Sequence, residues 1–333
     1  RAIFCRKTCS LFSGMIGDKI DIAAAYLRAG NIVAIPTETV YGLACNALDT
    51  SAITKVFEVK QRPYFDPLIV HVDSIEKIER YAYLEPEILN RIAQNEMPGP
   101  LTLLLKKKAI IPDLITAGSP KVAIRIPSHP LTLKLLRELD LPIAAPSANP
   151  FGYISPTSAK HVEDQLGDKI PYILEGGNSQ IGLESTIIGM QAGLLTVFRK
   201  GGLSLETIRE YTTDIKVIES STSNPQSPGM LKSHYAPSTP FLVVDDLHKA
   251  LSDANNKKLK VGVLAFGPDQ PQGEVTLNLS PSGNIAEAAV NLFSYMRILD
   301  GKNLDLILTS FLPEESLGLA INDRLRRAAV QEH

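Results

Sequence analysis

The sequence predicts an α/β protein in which a mixed sheet is packed with helices. Short apolar runs of strand length alternate with helical patterns along the chain. A Ser- and Pro-rich stretch without periodicity, at 219–240, interrupts this alternation. The 333 residues are also about twice the length typical of one domain. Together these observations predict a larger domain at 15–212, a linker at 213–240 and a smaller α/β domain at 241–333.

Each element of the first domain is predicted from a local pattern. Apolar residues recur at three- and four-residue steps from Asp18 to Ala29, and Gly30 comes directly after them, which indicates a helix. The apolar run at 32–35, closed by Pro36, is typical of a buried strand. Further strands are predicted at 67–72, 101–105, 122–126, 143–145, 173–174, 185–188 and 195–199, and further helices at 51–59, 74–95, 131–139, 158–166 and 204–211.

The second domain repeats the same alternation after the linker. Its strands are predicted at 241–244, 261–266, 275–279 and 304–308, with helices near 246–254, 284–299 and 322–330.

The N-terminal segment differs from the rest of the chain. Residues 1–14 are basic, contain no acid and lack the long apolar core of a secretory signal. Met15 begins a more regular pattern. We therefore expect the domain to start near Met15, with residues 1–14 as a leader or an added extension; a transit-peptide remnant is the less favoured interpretation.

Composition excludes several classes of protein. With 44% hydrophobic and 21% charged residues, the chain is not extensively disordered. A net charge of −2 argues against binding nucleic acid mainly by bulk charge, although it allows a local basic pocket. No apolar run reaches the roughly 18 residues of a transmembrane helix. The cysteines Cys5, Cys9 and Cys45 fit a reducing compartment, and the six histidines have no zinc-site spacing.

Polar residues cluster at the predicted strand ends, where ligands of α/β proteins usually bind. Thr39 comes after the first strand and either offers a hydroxyl to a ligand or caps a helical turn. Lys60 and Arg62 stand two residues apart before Pro63, and could converge on an anion or complement a helix dipole.

Further strand ends carry the same kind of residue. His71 is a ligand contact or a solvated side chain, and Arg125 binds a carboxylate or makes a structural ion pair. Neither a standard nucleotide fingerprint, such as a P-loop, nor a nucleophile elbow is present. The accumulation of hydroxyls and cations favours a site for an anionic ligand and a small polar ligand, with catalysis by positioning and charge stabilisation. The remaining candidates are Ser147, Asn149, Ser155, Glu184, Ser185, Arg199 and Tyr235.

Five segments of the chain form a recognisable set of motifs. They are IPTETVYGLACNA (35–47), KQRP (60–63) with PLIVH (67–71), AAPSAN (144–149), GLESTII (182–188) and SPGMLKSHYAP (227–237). Together these segments resemble the threonylcarbamoyl-AMP synthase family in its long form. The resemblance implies a YrdC-like twisted mixed sheet packed with helices, a linker that acts as an active-site lid, and a smaller Rossmann-like α/β domain.

The resemblance also implies a reaction. L-threonine, bicarbonate or CO2, and ATP would give L-threonylcarbamoyladenylate and pyrophosphate, assisted by Mg²⁺ held by the ATP phosphates and not by protein side chains. The product would pass to the tRNA threonylcarbamoyl-transfer machinery, so contact with tRNA would be indirect or weak. A cytoplasmic monomer that does not bind membranes is expected.

The same resemblance implies roles for individual residues. Lys60 and Arg62 would be catalytic and hold phosphates and bicarbonate. The ATP contacts would be Arg62, Ser147, Asn149, Ser155, Arg199 and Tyr235, and the threonine contacts Thr39, His71, Arg125, Ala145 and Ser185.

The chain departs from the family pattern at three places, and two rival functions compete with the one that the resemblance implies. Asp66 stands where many relatives have Asn, Lys121 replaces a more usual Thr, and Lys200-Gly201-Gly202 replaces the commoner Pro-Gly. The rivals are a non-catalytic RNA-binding module, disfavoured by the net charge, and a carbamoyl-transfer maturation enzyme, disfavoured because the chain has no C-x-x-C.

Overall fold

The computed structural model describes residues 15–218 and 234–329. The expectations for residues 1–14, for linker residues 219–233 and for the end of the last helix at 330 lie outside the described residues. Within these ranges no helix is both long enough and apolar enough to cross a membrane.

The first part of the chain forms one mixed sheet of twelve strands. Eleven of them lie in the order β1-β9-β2-β3-β8-β4-β7-β6-β10-β11-β12, and β5 pairs with β6. The predicted α/β class with a mixed sheet is thereby confirmed. The strands are β1 (Met15–Gly17), β2 (Val33–Ile35), β3 (Gly42–Asn46), β4 (Ile69–His71), β5 (Ala82–Tyr83), β6 (Leu101–Lys107), β7 (Lys121–Arg125), β8 (Ile143–Ala144), β9 (Tyr172–Leu174), β10 (Thr186–Gln191), β11 (Leu194–Arg199) and β12 (Ile215–Val217).

Helices connect these strands and cover the sheet. In α2 the Asp49 carboxylate accepts hydrogen bonds from the N–H groups of Ser51 and Ala52, which caps the helix, and Gln61 ends it with a left-handed φ of 54°. The turn at Gln61 places Arg62 beyond the helix. The helices are α1 (Ile20–Arg28), α2 (Thr50–Lys60), α3 (Ile75–Tyr81), α4 (Glu87–Glu96), α5 (Asp113–Thr116), α6 (Pro130–Leu139), α7 (Ala159–Leu166) and α8 (Leu205–Arg209).

Several local expectations differ from the structure, and three of these differences are explained by proline or by strand pairing. The helix predicted at 74–95 is two helices separated by β5, because Pro86 cannot continue a helix and disfavours helical geometry at the residue before it. Strand β3 was not predicted; its small residues carry little strand propensity, and it is held by antiparallel pairing with β2 and β8. Residues 215–217 fall inside the range predicted as linker, but they form strand β12 because they pair with β11.

The second part of the chain forms a separate parallel sheet of four strands, in the order β13-β16-β14-β15. Its strands are β13 (Phe241–Val243), β14 (Val261–Ala265), β15 (Val275–Asn278) and β16 (Leu306–Thr309), and its helices are α9 (Leu247–Asn256), α10 (Ile285–Asp300) and α11 (Gly318–Ala329).

A shared apolar cluster joins the two sheets. Val40, Ile154 and Leu183 of the first part are buried in the same cluster as Phe293 of α10 and Ile321 of α11. Burial of such side chains is favourable because it removes apolar surface from water. The cluster therefore fixes the second part beside the loops that come after β2 and β8.

Candidate active site

The predicted site residues meet because several strand ends converge. In the parallel pair of β4 and β7, His71 lies in register with Arg125, and each is the last residue of its strand. Ser185 directly precedes β10, and Arg199 ends the antiparallel neighbour β11. The loop after β8 adds Ser147, which makes an isolated bridge to Gly42.

These strand ends surround a cavity. Most of the predicted site residues line it, together with Thr37 and His234. The predicted residues that line the cavity are Thr39, Arg62, His71, Arg125, Ala145, Ser147, Glu184, Ser185, Arg199 and Tyr235. The others, Lys60, Asn149 and Ser155, are buried behind the lining. Lys60 contacts the lining residue Ser147 and also Asn149, and Ser155 contacts the lining residue Glu184.

Arg125 is the centre of one side of the cavity. Its Nη1 donates to Thr39 Oγ1 at 2.8 Å and its Nη2 to Glu38 Oε1 at 2.6 Å. Both partners of the ion pair are almost fully buried. Burial alone would raise the pKa of Glu38, but the charge and hydrogen bond of Arg125 outweigh it, so this pKa lies below its usual value. Glu38 therefore fixes the guanidinium and balances its charge.

His71 faces this arginine from the neighbouring strand. Its side chain is buried, which excludes the alternative of a solvated residue, and its Nδ1 lies 3.2 Å from the carbonyl oxygen of Ile69. Burial, reinforced by the charge of Arg125, lowers the pKa of His71 to about 3. The imidazole is therefore neutral at physiological pH.

The neutral state of His71 gives a pH prediction. Its ordinary pKa is 6.5. Between pH 6.5 and 3 the unfolded chain binds a proton at this residue that the folded chain does not, so stability falls with acidification in this window. We expect His71 to contribute about 2 kcal/mol to the loss of unfolding free energy between pH 7.5 and pH 5.

Urea unfolding at both pH values, with the His71→Gln variant as reference, measures this contribution. Between pH 7.5 and pH 5, the unfolding free energy of the variant should fall by about 2 kcal/mol less than that of the parent chain. Equal losses in the two proteins would show that His71 is protonated in the folded state.

A second buried ion pair involves Arg62, which also lines the cavity. Arg62 Nη2 lies 2.9 Å from Asp66 Oδ2, and the same guanidinium donates to the carbonyl oxygens of Asp66 and Pro67 at 3.1 and 2.8 Å. Burial raises the pKa of Asp66, although Arg62 and Lys60 oppose this shift. The Asp66 carboxylate, which stands where many relatives have Asn, thus pairs with Arg62 and orients its guanidinium.

Lys60 lies behind the lining. It is 1% exposed, and its Nζ donates to the backbone carbonyl oxygens of Ser147 and Asn149, both at 2.5 Å. Burial, followed by the charge of Arg62, lowers its pKa well below the ordinary value. Asn149 in turn donates from Nδ2 to the carbonyl oxygens of Pro150 and Tyr153. Lys60 therefore fixes the loop that carries Ser147.

Arg199 and Ser185 are coupled across the ends of β11 and β10. Arg199 donates from Nε and Nη2 to the Ser185 carbonyl oxygen at 3.1 and 2.9 Å, and from Nη2 to Ser185 Oγ at 3.1 Å. Burial lowers the pKa of Arg199 to about 10, which leaves the side chain charged at neutral pH.

The second domain also contributes to this site, which the sequence patterns did not indicate. Tyr235 stacks on Phe293 of α10 with ring centroids 5.5 Å apart, and the Arg324 guanidinium of α11 lies 5.3 Å from the Tyr235 ring centroid. Arg324 Nε also donates to Glu184 Oε2 at 3.0 Å. The helical pattern at 322–330 was detectable, but nothing in it indicated a buried arginine.

The other departures differ in their distance from this network. Lys121 lies outside it, and its Nζ donates to the Met190 carbonyl oxygen at 2.7 Å. At Gly201 an added Cβ would lie 2.3 Å from the Glu184 carbonyl oxygen, so the strand end requires glycine there.

The fold and the cavity together define a class of protein. It is an α/β protein with buried cations and hydroxyls at the strand ends, an arrangement suited to an anionic ligand bound beside a small polar one.

Comparisons with known proteins narrow this class. A family model described as "Telomere recombination", for Sua5, YciO and YrdC proteins, matches residues 25–201. A model described as "Threonylcarbamoyl-AMP synthase, C-terminal domain" matches residues 203–330.

Individual relatives agree with the family models. A threonylcarbamoyl-AMP synthase of Pyrococcus abyssi is 40% identical, with 93% of this chain and 94% of the relative covered. Another, from Bacillus subtilis, is 38% identical, with 92% of each covered. The crystal structure of P. abyssi Sua5 complexed with L-threonine matches with a TM-score of 0.89 at 40% identity, over 93% of this chain and 94% of that one. The chain therefore belongs to the threonylcarbamoyl-AMP synthase family, a family of transferases, in its two-domain form. The resemblance stated from the motifs is confirmed.

Proposed function

We propose that the chain is an L-threonylcarbamoyladenylate synthase. It makes L-threonylcarbamoyladenylate and pyrophosphate from L-threonine, bicarbonate or CO2, and ATP. The observation that carries the proposal is that one cavity is lined by Arg62, Arg125 and Arg199 together with the hydroxyl side chains Thr39 and Tyr235. A relative of similar length is named for this activity, and its structure contains L-threonine.

Threonine binds on the Arg125 side. A guanidinium fixed by Thr39 and Glu38 presents a planar donor to the amino-acid carboxylate without further ordering. Neutral His71 accepts or donates one hydrogen bond there without adding charge. Ala145 and Ser185, which also line the cavity, are the remaining threonine contacts of this proposal.

ATP binds on the other side, where Arg62 and Arg199 face the triphosphate. Ser147 and Tyr235 line this side, while Lys60, Asn149 and Ser155 support it from behind. The threonine amine takes up CO2 to form a carbamate, and a carbamate oxygen attacks the α-phosphate, with pyrophosphate as leaving group. The cations stabilise the negative charge that develops, so no covalent protein nucleophile is required.

Mg²⁺ enters this site with the nucleotide. The carboxylates nearest the cavity are each paired with an arginine: Glu38 with Arg125, Asp66 with Arg62, and Glu184 with Arg324. Such groups fit a Mg²⁺ held mainly by phosphates and water better than one ligated by the protein. Bound Mg²⁺ would neutralise phosphate charge and assist departure of pyrophosphate.

The domain roles are part of the same proposal. Residues 15–212, with strand β12 added to their sheet, provide the catalytic domain, the rest of the 213–240 linker provides the lid, and 241–333 form a smaller second domain. The described end of the lid supports this, because Tyr235 lines the cavity and the Ala236 N–H donates to the Gly152 carbonyl oxygen at 2.9 Å. We further propose that the protein is a cytoplasmic monomer that passes its product to tRNA-modifying enzymes and touches tRNA weakly or indirectly.

Pyrophosphate release tests the reaction. With ATP and Mg²⁺, we expect release to require both L-threonine and bicarbonate, because the attacking carbamate forms only from the two together. The measurement is a coupled phosphate assay with each substrate omitted in turn, and mass spectrometry of the adenylate product. Release that does not depend on threonine would refute the assignment.

A further inference from the structure

One acidic side chain at the nucleotide end of the cavity has no role in the proposed reaction. Glu184 is 7% exposed and lines the cavity where an anionic ligand is expected. An uncompensated carboxylate there would repel phosphate. Its two oxygens are both engaged: Oε1 accepts from Ser155 Oγ at 2.6 Å, and Oε2 from Arg324 Nε at 3.0 Å.

Arg324 belongs to α11, 140 residues along the chain from Glu184. Its side chain is fully buried, and it also pairs through Nη1 with Asp323 at 2.9 Å. The same guanidinium lies over the ring of Tyr235, a contact of the cation–π kind. One side chain of the second domain thus touches two cavity-lining residues, Glu184 and Tyr235.

We propose that Arg324 is a positioning residue for the nucleotide end of the active site. It neutralises Glu184 and fixes the carboxylate that orients Ser155, and it holds the Tyr235 ring against the cavity. The second domain is therefore an integral part of the nucleotide site. The inference depends on the proposed function only for the identity of the nucleotide.

The electrostatics of the site agree with this role. Burial would raise the pKa of Glu184, but the charges of Arg324 and Arg199 outweigh it and keep this pKa below its usual value. Without Arg324 the carboxylate would remain charged beside the triphosphate or would take up a proton and change its hydrogen bonds. Either change weakens nucleotide binding.

The test compares Arg324→Met with Arg326→Ala, a matched control on the same helix whose guanidinium makes an exposed ion pair with Glu314. We expect Arg324→Met to weaken binding of a fluorescent non-hydrolysable ATP analogue at least tenfold, and to raise the KM for ATP similarly. The KM for threonine should change less than threefold. The control should bind the analogue as the parent chain does.

A second variant separates positioning from simple loss of packing. In a Glu184→Gln background the carboxylate charge is gone, so Arg324→Met should cost at least threefold less in analogue affinity than it does in the parent chain, and loss of the Tyr235 contact accounts for the cost that remains. An equal cost in both backgrounds, or unchanged affinity in the single variant, would overturn the proposal.

Two further experiments apply if Arg324→Met does not fold or if the proposed reaction is not observed. If Arg324→Met does not fold, Ser155→Ala and Glu184→Gln take its place; each should weaken analogue binding, and together they should cost less than the sum. Additive costs would count against the proposed linkage. If the parent chain binds the analogue but forms no threonine-dependent pyrophosphate, the proposed function fails while the binding comparison still decides the role of Arg324.

Discussion

The Lys60→Met variant should lose about 100-fold or more in the rate of pyrophosphate formation, a loss comparable to removing one essential donor from a charge-stabilising site. The ammonium group holds the backbone carbonyls of Ser147 and Asn149, and methionine leaves both without their donor. The loop that carries Ser147 then no longer has a fixed position beside the triphosphate. Steady-state kinetics at saturating ATP and threonine measure the effect.

Lys55→Met is the matched control for this change. Lys55 lies on the same helix, and its Nζ donates to the Gly30 carbonyl oxygen at 2.7 Å, outside the cavity lining. We expect this variant to retain its activity. Full activity of Lys60→Met, with unchanged thermal unfolding, would remove Lys60 from the site.

The second large effect is expected for Arg125→Met. Loss of the guanidinium should raise the KM for threonine at least about 100-fold, because a charge-assisted, bidentate contact to the carboxylate disappears. It should also destabilise the fold by about 3–5 kcal/mol, since Glu38 remains buried without its partner. Threonine titration by calorimetry and urea unfolding measure the two consequences separately.

A double variant distinguishes binding from stability. Arg125→Met with Glu38→Gln removes the unpaired charge, so much of the lost stability should return while threonine affinity stays low. Recovery of threonine affinity in the double variant would show that Arg125 acts only as the partner of Glu38.

The strand ends and their polar residues were predictable because these signals are local. Thr39, His71, Arg125 and Arg199 each stand beside an apolar run whose length predicts a strand. The parallel pairing of β4 and β7 then brings the ends at His71 and Arg125 together. Lys60 and Tyr235 were also candidates from their local sequence, and the family motifs added the roles assigned to them. Their assigned roles as catalytic and ATP-binding residues stay predictions.

The partners of these residues were not predictable in the same way. Glu38 pairs with Arg125, 87 residues away, and Ser155 with Glu184, 29 residues away. Only folding brings these groups together, and charge order along the chain does not specify which acid meets which base. The same limit applied to β3, whose small residues become a strand only because β2 and β8 lie on either side.

The apolar cluster around Val40, Ile154 and Leu183 has a consequence for how the chain can be divided. These residues pack among side chains of α10 and α11, so the surfaces that the two parts present to each other are apolar. The boundary between the two parts is therefore a shared hydrophobic core. Apolar packing, and not the peptide connection, therefore fixes the position of one part relative to the other. A catalytic part expressed alone would expose this apolar surface to water and would tend to aggregate.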